Sequence, residues 1–212
     1  MVRKIVENIP DDVLQQDLEI YRQRAIELGA TDAKIITTDM IVIDERVRAK
    51  CTWPRCSEYG TNANCPPHVM EVEQIRKIVN KFRHAIFTRL QVPSEEFAGI
   101  EANKNMLWMR AEIKNHEIVS KLEAEAFYDG YYLAVGFGSG TCKSLCIDKE
   151  CSALIPGQAC RHYYRARSSM EGAGMDAFIM ATRVGWEVYP IGVPTPPSAV
   201  PCAISLGLVL IY

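Results

Sequence analysis

The chain has no run of about 18 consecutive apolar residues, so a membrane-spanning helix is not expected. Its stretch from Ala199 to Tyr212 is apolar but too short to span, and reads as a buried strand. The opening MVRKIVENIPDDV lacks the apolar run and small-residue cleavage site of a secretion signal, so a cytoplasmic location is expected. Basic charge is not in surplus either. The formal net charge is -2 at pH 7, which argues against nucleic acid as a partner. No P-loop or Ser–His–Asp arrangement is found. GFGSGT follows an expected strand but runs into cysteines and not into a helix, which rejects a dinucleotide fingerprint. A Cys-x2-Cys pair, the commonest zinc spacing, is also missing.

What remains is a 212-residue chain with 48% apolar and 24% charged residues, enough to bury a core without staples. It contains eight cysteines. In a reducing compartment, metal or redox chemistry is favoured over disulfides.

Periodicity places a first helix from Asp11 or Asp12 as cap, with Leu14, Leu18, Tyr21, Ala25 and Leu28 on one face and Gly29 at its end. Residues 33–43 read as one or two strands, 72–82 as a helix, 85–92 as a central strand, and 106–127 as a long helix. Residues 131–135, 186–191 and 203–211 complete the strands. Ser168-Ser169-Met170-Glu171 reads as a capping box opening a short helix, with 176–184 continuing as helix. The expected fold is α/β (α+β): one mixed sheet of about five strands covered by helices, in a single domain over 1–212. Two cysteine-rich stretches, 46–69 and 136–167, interrupt it. Their composition is that of loops, and they are too long for plain connectors.

These stretches carry a repeated spacing. Cys51-x4-Cys56-x8-Cys65 is matched by Cys146-x4-Cys151-x8-Cys160, and Cys142 stands four residues upstream of the second triplet's first member. Cys202 stands alone. Thiolates are preferred ligands of zinc and of iron–sulfur clusters, and a metal's binding energy can replace a core in holding an irregular loop. Three or four cysteines on one long loop suit a cubane, in which each iron takes one thiolate. The expected cofactor is therefore one or two [4Fe–4S] clusters, with zinc as the alternative. Cys65-Pro66-Pro67 is similar to the Cys-Pro that closes bacterial ferredoxin runs. Glycines 136, 138 and 140 would let backbone N–H groups approach cluster sulfides.

The four-cysteine loop is complete. The three-cysteine loop needs Cys202, needs His68, or leaves one iron open to act as a Lewis acid. His68 and His162 read as ligands, proton donors or solvated loop residues. Arg161, Arg165 and Arg167 would balance cluster charge, grip an anion, or face solvent. Tyr163 and Tyr164 would shield a cluster, and Trp53 and Tyr59 would pack over the first loop.

At C-x4-C-x2-YG-x4-CPP (Cys51 to Pro67), and at C-x3-C-x4-C-x8-CR followed by A-R-x-S-M-E-x-x-G-x-D (Ala166 to Asp176), the chain resembles a family of predicted metal-binding proteins of unknown function from anaerobic bacteria and archaea, domain of unknown function 2284. The resemblance implies iron–sulfur or other metal binding by Cys51, Cys56, Cys65, Cys142, Cys146, Cys151 and Cys160. It implies no reaction, and Cys202 has no match in the pattern. Three functions are expected in order: an iron–sulfur redox or electron-transfer protein; an iron–sulfur enzyme whose open iron binds substrate in sulfur transfer or removal, or in cofactor metabolism; and a zinc-stabilised interaction module. The partners would be a redox protein or a small-molecule substrate, with a homo-oligomer left open.

Overall fold

Two apolar segments, AIFTRL and AISLGLVL, are long enough and β-branched enough to lie between two covering layers. The computed structural model describes residues 2–147 and 149–212 and places both segments at the centre of one sheet. Its strands are β1 (Asp32–Thr37), β2 (His84–Val92), β3 (Val135–Phe137) and β4 (Ala203–Leu210), in the spatial order β1-β2-β4-β3. Every neighbouring pair is antiparallel, with Ile86 opposite Val209 and Phe87 opposite Leu208. Alternation then sorts the side chains. Phe87, Leu206, Leu208 and Leu210 face one layer, while Ile86, Val209 and Ile211 face the other.

The second layer is made by α1 (Asp11–Glu27) and, near the chain's middle, a 20-residue helix over Met109–Tyr128. Leu14, Leu18, Tyr21 and Ala25 pack there with Ile118, Val119, Leu122 and Ala126. The first layer holds Ile75 and Val79 with Met170, Met175, Met180 and Trp186. In chain order the remaining helices are α2 (Glu45–Thr52), α3 (Val72–Val79), α4 (Gly99–Lys104), α5 (the Met109–Tyr128 helix) and α6 (Ala177–Arg183). None of the described helices is long and apolar enough to cross a membrane.

The α+β class stands, with four strands where five were expected and an antiparallel sheet where a mixed one was. Residues 186–191 form no strand. The Trp186 ring lies 4.9 Å from Phe87 and its Nε1 donates to Asp32 at 2.8 Å, so this segment covers the sheet's face and does not extend its edge. Residues 131–134 are a turn and β3 begins at Val135, because Tyr131 is turned inward to donate to Asp17 at 2.7 Å. Ser168–Glu171 opens no helix. Ser169 Oγ accepts from the Gly172 N–H at 2.9 Å and closes a turn, and α6 starts only after Asp176, whose carboxylate accepts from Ile179 N at 3.0 Å. Asp11 and Asp12 lie within the first turn of α1 and do not cap it, so they act on the helix's positive end. The helix expected from Met106 begins at Met109, and that expected to reach Phe82 stops at Val79. Residues 38–40 make a 3-10 turn after β1.

Candidate metal centre

The first cysteine stretch is not wholly loop. Asp44 caps α2 by accepting from Arg46 N at 2.8 Å, and the helix carries Cys51 in its last turn. The irregular part is 53–71. Its polar side chains reach across to the second stretch, about eighty residues later in the chain. Asn62 Nδ2 donates to Thr141 Oγ1 at 3.2 Å, and Asn64 Nδ2 reaches Cys142 Sγ at 3.4 Å. Cys142 Sγ donates to Asn62 Oδ1 at 3.4 Å, and Ser168 Oγ donates to Asn64 Oδ1 at 3.2 Å. Thr141 Oγ1 also donates to Glu58 at 3.4 Å and meets Cys65 Sγ at 3.7 Å. Asn62 is 1% exposed and Thr141 5%, so these bonds satisfy groups that water does not reach. The two thiol-bearing stretches are therefore one joined layer. Asn62, Asn64 and Thr141 were missed by the sequence reading. The TNAN run suggests a turn, but nothing in one sequence pairs it with Thr141.

The glycines have another role than the expected one. Gly136 and Gly138 have their N–H groups committed, to Glu123 Oε2 at 2.7 Å and to Ser168 O at 2.9 Å. Their missing side chains admit α5. A Cβ on Gly136 would stand 2.5 Å from Glu123 Oε2, and one on Gly138 would stand 2.9 Å from the His116 ring. At Gly140 it would overlap the Glu112 carboxyl. Two residues of extended chain advance about 6.7 Å and one helical turn about 5.4 Å, so alternate glycines meet successive turns of α5. The buried Glu112 carboxyl accepts a short hydrogen bond from Ser144 Oγ within the second stretch.

Cys51, Cys56, Cys65 and Cys202 all line one cavity of about 420 Å³. Glu58, Glu112, Glu171 and Glu187 share its wall with Tyr59, Phe97, Trp108, Phe178 and Tyr189. Cys142 lies close enough to Cys65, Cys146 and Cys151 for their charges to act on it. The Arg161 N–H donates to Ser152 Oγ at 3.0 Å, which ties the chain next to Cys160 to the chain next to Cys151, and Cys160 Sγ accepts from His162 N at 3.4 Å. All eight cysteines are free. Among the described residues, no three His, Cys, Asp or Glu side chains converge on a point that would hold a metal ion. Thiols thus border a space and not a point.

Burial governs the electrostatics. It pushes the Cys51 and Cys65 thiols above their ordinary range, with Asn62 and Thr141 hydrogen bonds opposing it at Cys65, and it pushes Cys142 up to about 12. Burial also raises Glu112 to about 8, raises Glu171, and lowers His116 to about 4. These groups favour their neutral forms until a bound cation reverses the balance.

Several candidates lie apart. His68 is exposed and does not line the cavity. Arg167 is clamped by two bonds to Glu123, at 2.6 and 2.9 Å, which leaves no free fork for an anion. Trp53 is 85% exposed, and Tyr163 and Tyr164 are also exposed, so none shields the thiols by burial. Tyr59 lines the cavity, with the Arg55 guanidinium 4.8 Å over its ring.

The family model described as "Predicted metal-binding protein (DUF2284)" matches residues 34–210, which takes in both cysteine stretches, all four strands but the first two residues of β1, and five of the six helices. The chain belongs to this family. Membership of DUF2284 supports metal binding without naming the metal. No curated protein and no solved structure matches the chain. The donor set fits the family's description. It is made of soft thiols, none is consumed in a disulfide, and four of them open on one cavity.

Proposed function

We propose that this DUF2284 protein is a cytoplasmic iron–sulfur redox protein with two sets of four thiols. Cys142, Cys146, Cys151 and Cys160 form one set, and Cys51, Cys56, Cys65 and Cys202 form the other. The observation that carries the reading is Cys202. Isolated in sequence, it lines the same cavity as the three cysteines that lack a fourth. The spread of the thiols around a space also supports it. A zinc ion needs four sulfurs at about 2.3 Å from one point, whereas a cubane presents a separate iron to each thiolate. When bound, such clusters supply reversible one-electron chemistry. The chain's own residues would shield and position them, with Asn62, Asn64 and Thr141 fixing one set against the other.

Anaerobic purification followed by iron, sulfide and zinc analysis tests this. About four irons and four sulfides per cluster are expected, with an EPR signal on one-electron reduction. A colourless, EPR-silent protein carrying zinc would end the reading.

A second reading is favoured by the cavity itself. Its volume lies within the range of small-molecule sites, about 300–1,000 Å³, and Cys56 is exposed beside it. If Cys202 is not a ligand, the three-thiol set leaves an iron facing that space, and the protein is an enzyme on a small molecule.

A further inference from the structure

The chemistry of the cavity wall is sorted by charge. The stretches 46–69 and 136–167 hold nine Lys and Arg, yet none of the described residues lining the cavity is Lys, Arg or His. Several of them have partners of their own, and Arg55 lies over the outer side of the wall, its guanidinium 4.8 Å from the Tyr59 ring. Arg48 Nη1 donates to Met70 O at 3.1 Å and Gly172 O at 3.0 Å, Lys143 Nζ to Lys149 O at 2.7 Å, and Arg161 to Glu150 O at 2.8 Å. Four glutamates remain in the wall, and the side-chain donors they meet are hydroxyls, with the Thr141 backbone N–H also serving Glu112. Thr61 and Thr141 serve Glu58, Ser144 serves Glu112, and Tyr189 serves Glu187. At Glu171, Ser169 and the Gly140 backbone stand by the carboxyl, yet its buried Oε2 is left without a partner. A buried carboxylate oxygen without a donor is costly, and a bound cation removes that cost.

The kind of cation follows from the rest of the wall. The acids do not converge on an ion-sized point, so a compact divalent ion is poorly served. Aromatic rings, Trp108, Phe178 and Tyr189 among them, line the same cavity as the acids. Ring faces attract a cation whose charge is spread over alkyl groups. We propose that this cavity binds a small organic cation, an alkylated ammonium held by Glu171 and Glu112 against aromatic rings. The inference uses the cavity of the proposed three-plus-one thiol set but does not require that the thiols hold iron.

The test is calorimetric titration of the anaerobically purified full chain with tetramethylammonium, choline and 3,3-dimethylbutan-1-ol, the uncharged isostere of choline. Iron and sulfide are measured on the same samples, so loss of the cluster reading and loss of this one are told apart. The cations are expected to bind at least about tenfold more tightly than the alcohol. Glu171→Gln should remove most of that preference while leaving the alcohol's affinity unchanged. Trp108→Leu, which leaves every carboxylate in place, should weaken the cations several-fold and serves if Glu171→Gln does not fold. Equal affinity for choline and the alcohol, or no binding of either cation to a protein with a normal melting transition, overturns the proposal.

Discussion

Replacing Gly140 by alanine puts a methyl group where the Glu112 carboxyl lies, at a residue with φ +63°. Two costs add. A non-glycine residue in the left-handed region costs about 1–2 kcal/mol. Moving Glu112 breaks its bond with Ser144 and leaves a buried polar group unsatisfied, about 1–3 kcal/mol. The sum, about 2–5 kcal/mol, is a large part of a typical stability of about 5–15 kcal/mol. For a chain of this size it lowers the melting temperature by about 5–15 °C. Gly157→Ala is the control. Gly157 also has a positive φ, +78°, but nothing lies within 4 Å of its would-be Cβ. It should therefore lose only the backbone part. Adding Glu112→Ala to Gly140→Ala removes the obstructing atoms, and the double variant should be more stable than the sum of the two single losses predicts. Thermal melts of the unaltered protein and the four variants by circular dichroism decide the matter. If Gly140→Ala costs no more than Gly157→Ala, the close seating of α5 on the glycine strand is wrong.

Cys202→Ala should remove one set's iron and leave the other, about half of the total by metal analysis; unchanged iron would return Cys202 to a packing role. Glu112 has its folded pKa raised to about 8 from an ordinary value of 4.5, so the folded state holds the proton more tightly. Its contribution to stability is full below pH about 4.5 and declines by up to about 1.4 kcal/mol per pH unit until pH about 8. Glu112→Gln should flatten that decline in denaturant titrations run at several pH values. His116, lowered to about 4, works in the opposite sense. Its contribution is full above about pH 6.5 and falls as pH drops toward 4, so the Glu112 slope should stand clear only above about pH 6.5. Asn62→Ala should cost about 1–3 kcal/mol, because it strips partners from Thr141 and Cys142, and an unchanged melt would mean water replaces the amide. Anaerobic chelation of the metal should raise protease cleavage within 53–71 and 138–167 while the sheet's circular dichroism persists; loss of both together would show that the loops and the core fold as one unit.

The central strands were legible because burial on both faces demands long apolar runs, which the sequence displays without a partner in view. The helices α1, α3 and α5 were legible through their 3.6-residue period. The failures share a cause. Trp186–Ile191 and Tyr131–Val135 have strand composition, yet their aromatic side chains are used to cap the core from Trp186 to Asp32 and from Tyr131 to Asp17. Local propensity cannot tell a residue that extends a sheet from one that covers it. At the site, the cysteine spacing showed the two stretches but not that they touch. Hydrogen bonds such as Asn64 to Cys142, 78 residues apart, leave no periodic trace. Cys202 is the same case, since its place on the cavity that Cys51, Cys56 and Cys65 also line is fixed by where β4 enters the sheet.

The division between core and loops has a physical basis in what each part buries. Neither hydrophobic cluster draws a buried residue from 46–69 or from 138–168. Cys65, Val69, Cys142 and Cys151 are buried outside both clusters, and Cys65 and Cys142 meet polar side chains of the loops. Contacts of that kind contribute about 1 kcal/mol per hydrogen bond, while ordering each residue costs about as much or more. The sheet and its helices recover their entropy through apolar burial on both faces. The joined cysteine layer has no such source. A bound inorganic centre would supply one, because thiolate bonds made only in the folded arrangement turn binding free energy into folding free energy. The same stretches carry the thiols and the polar bridges, and they are the part of the chain least able to hold its shape without a ligand.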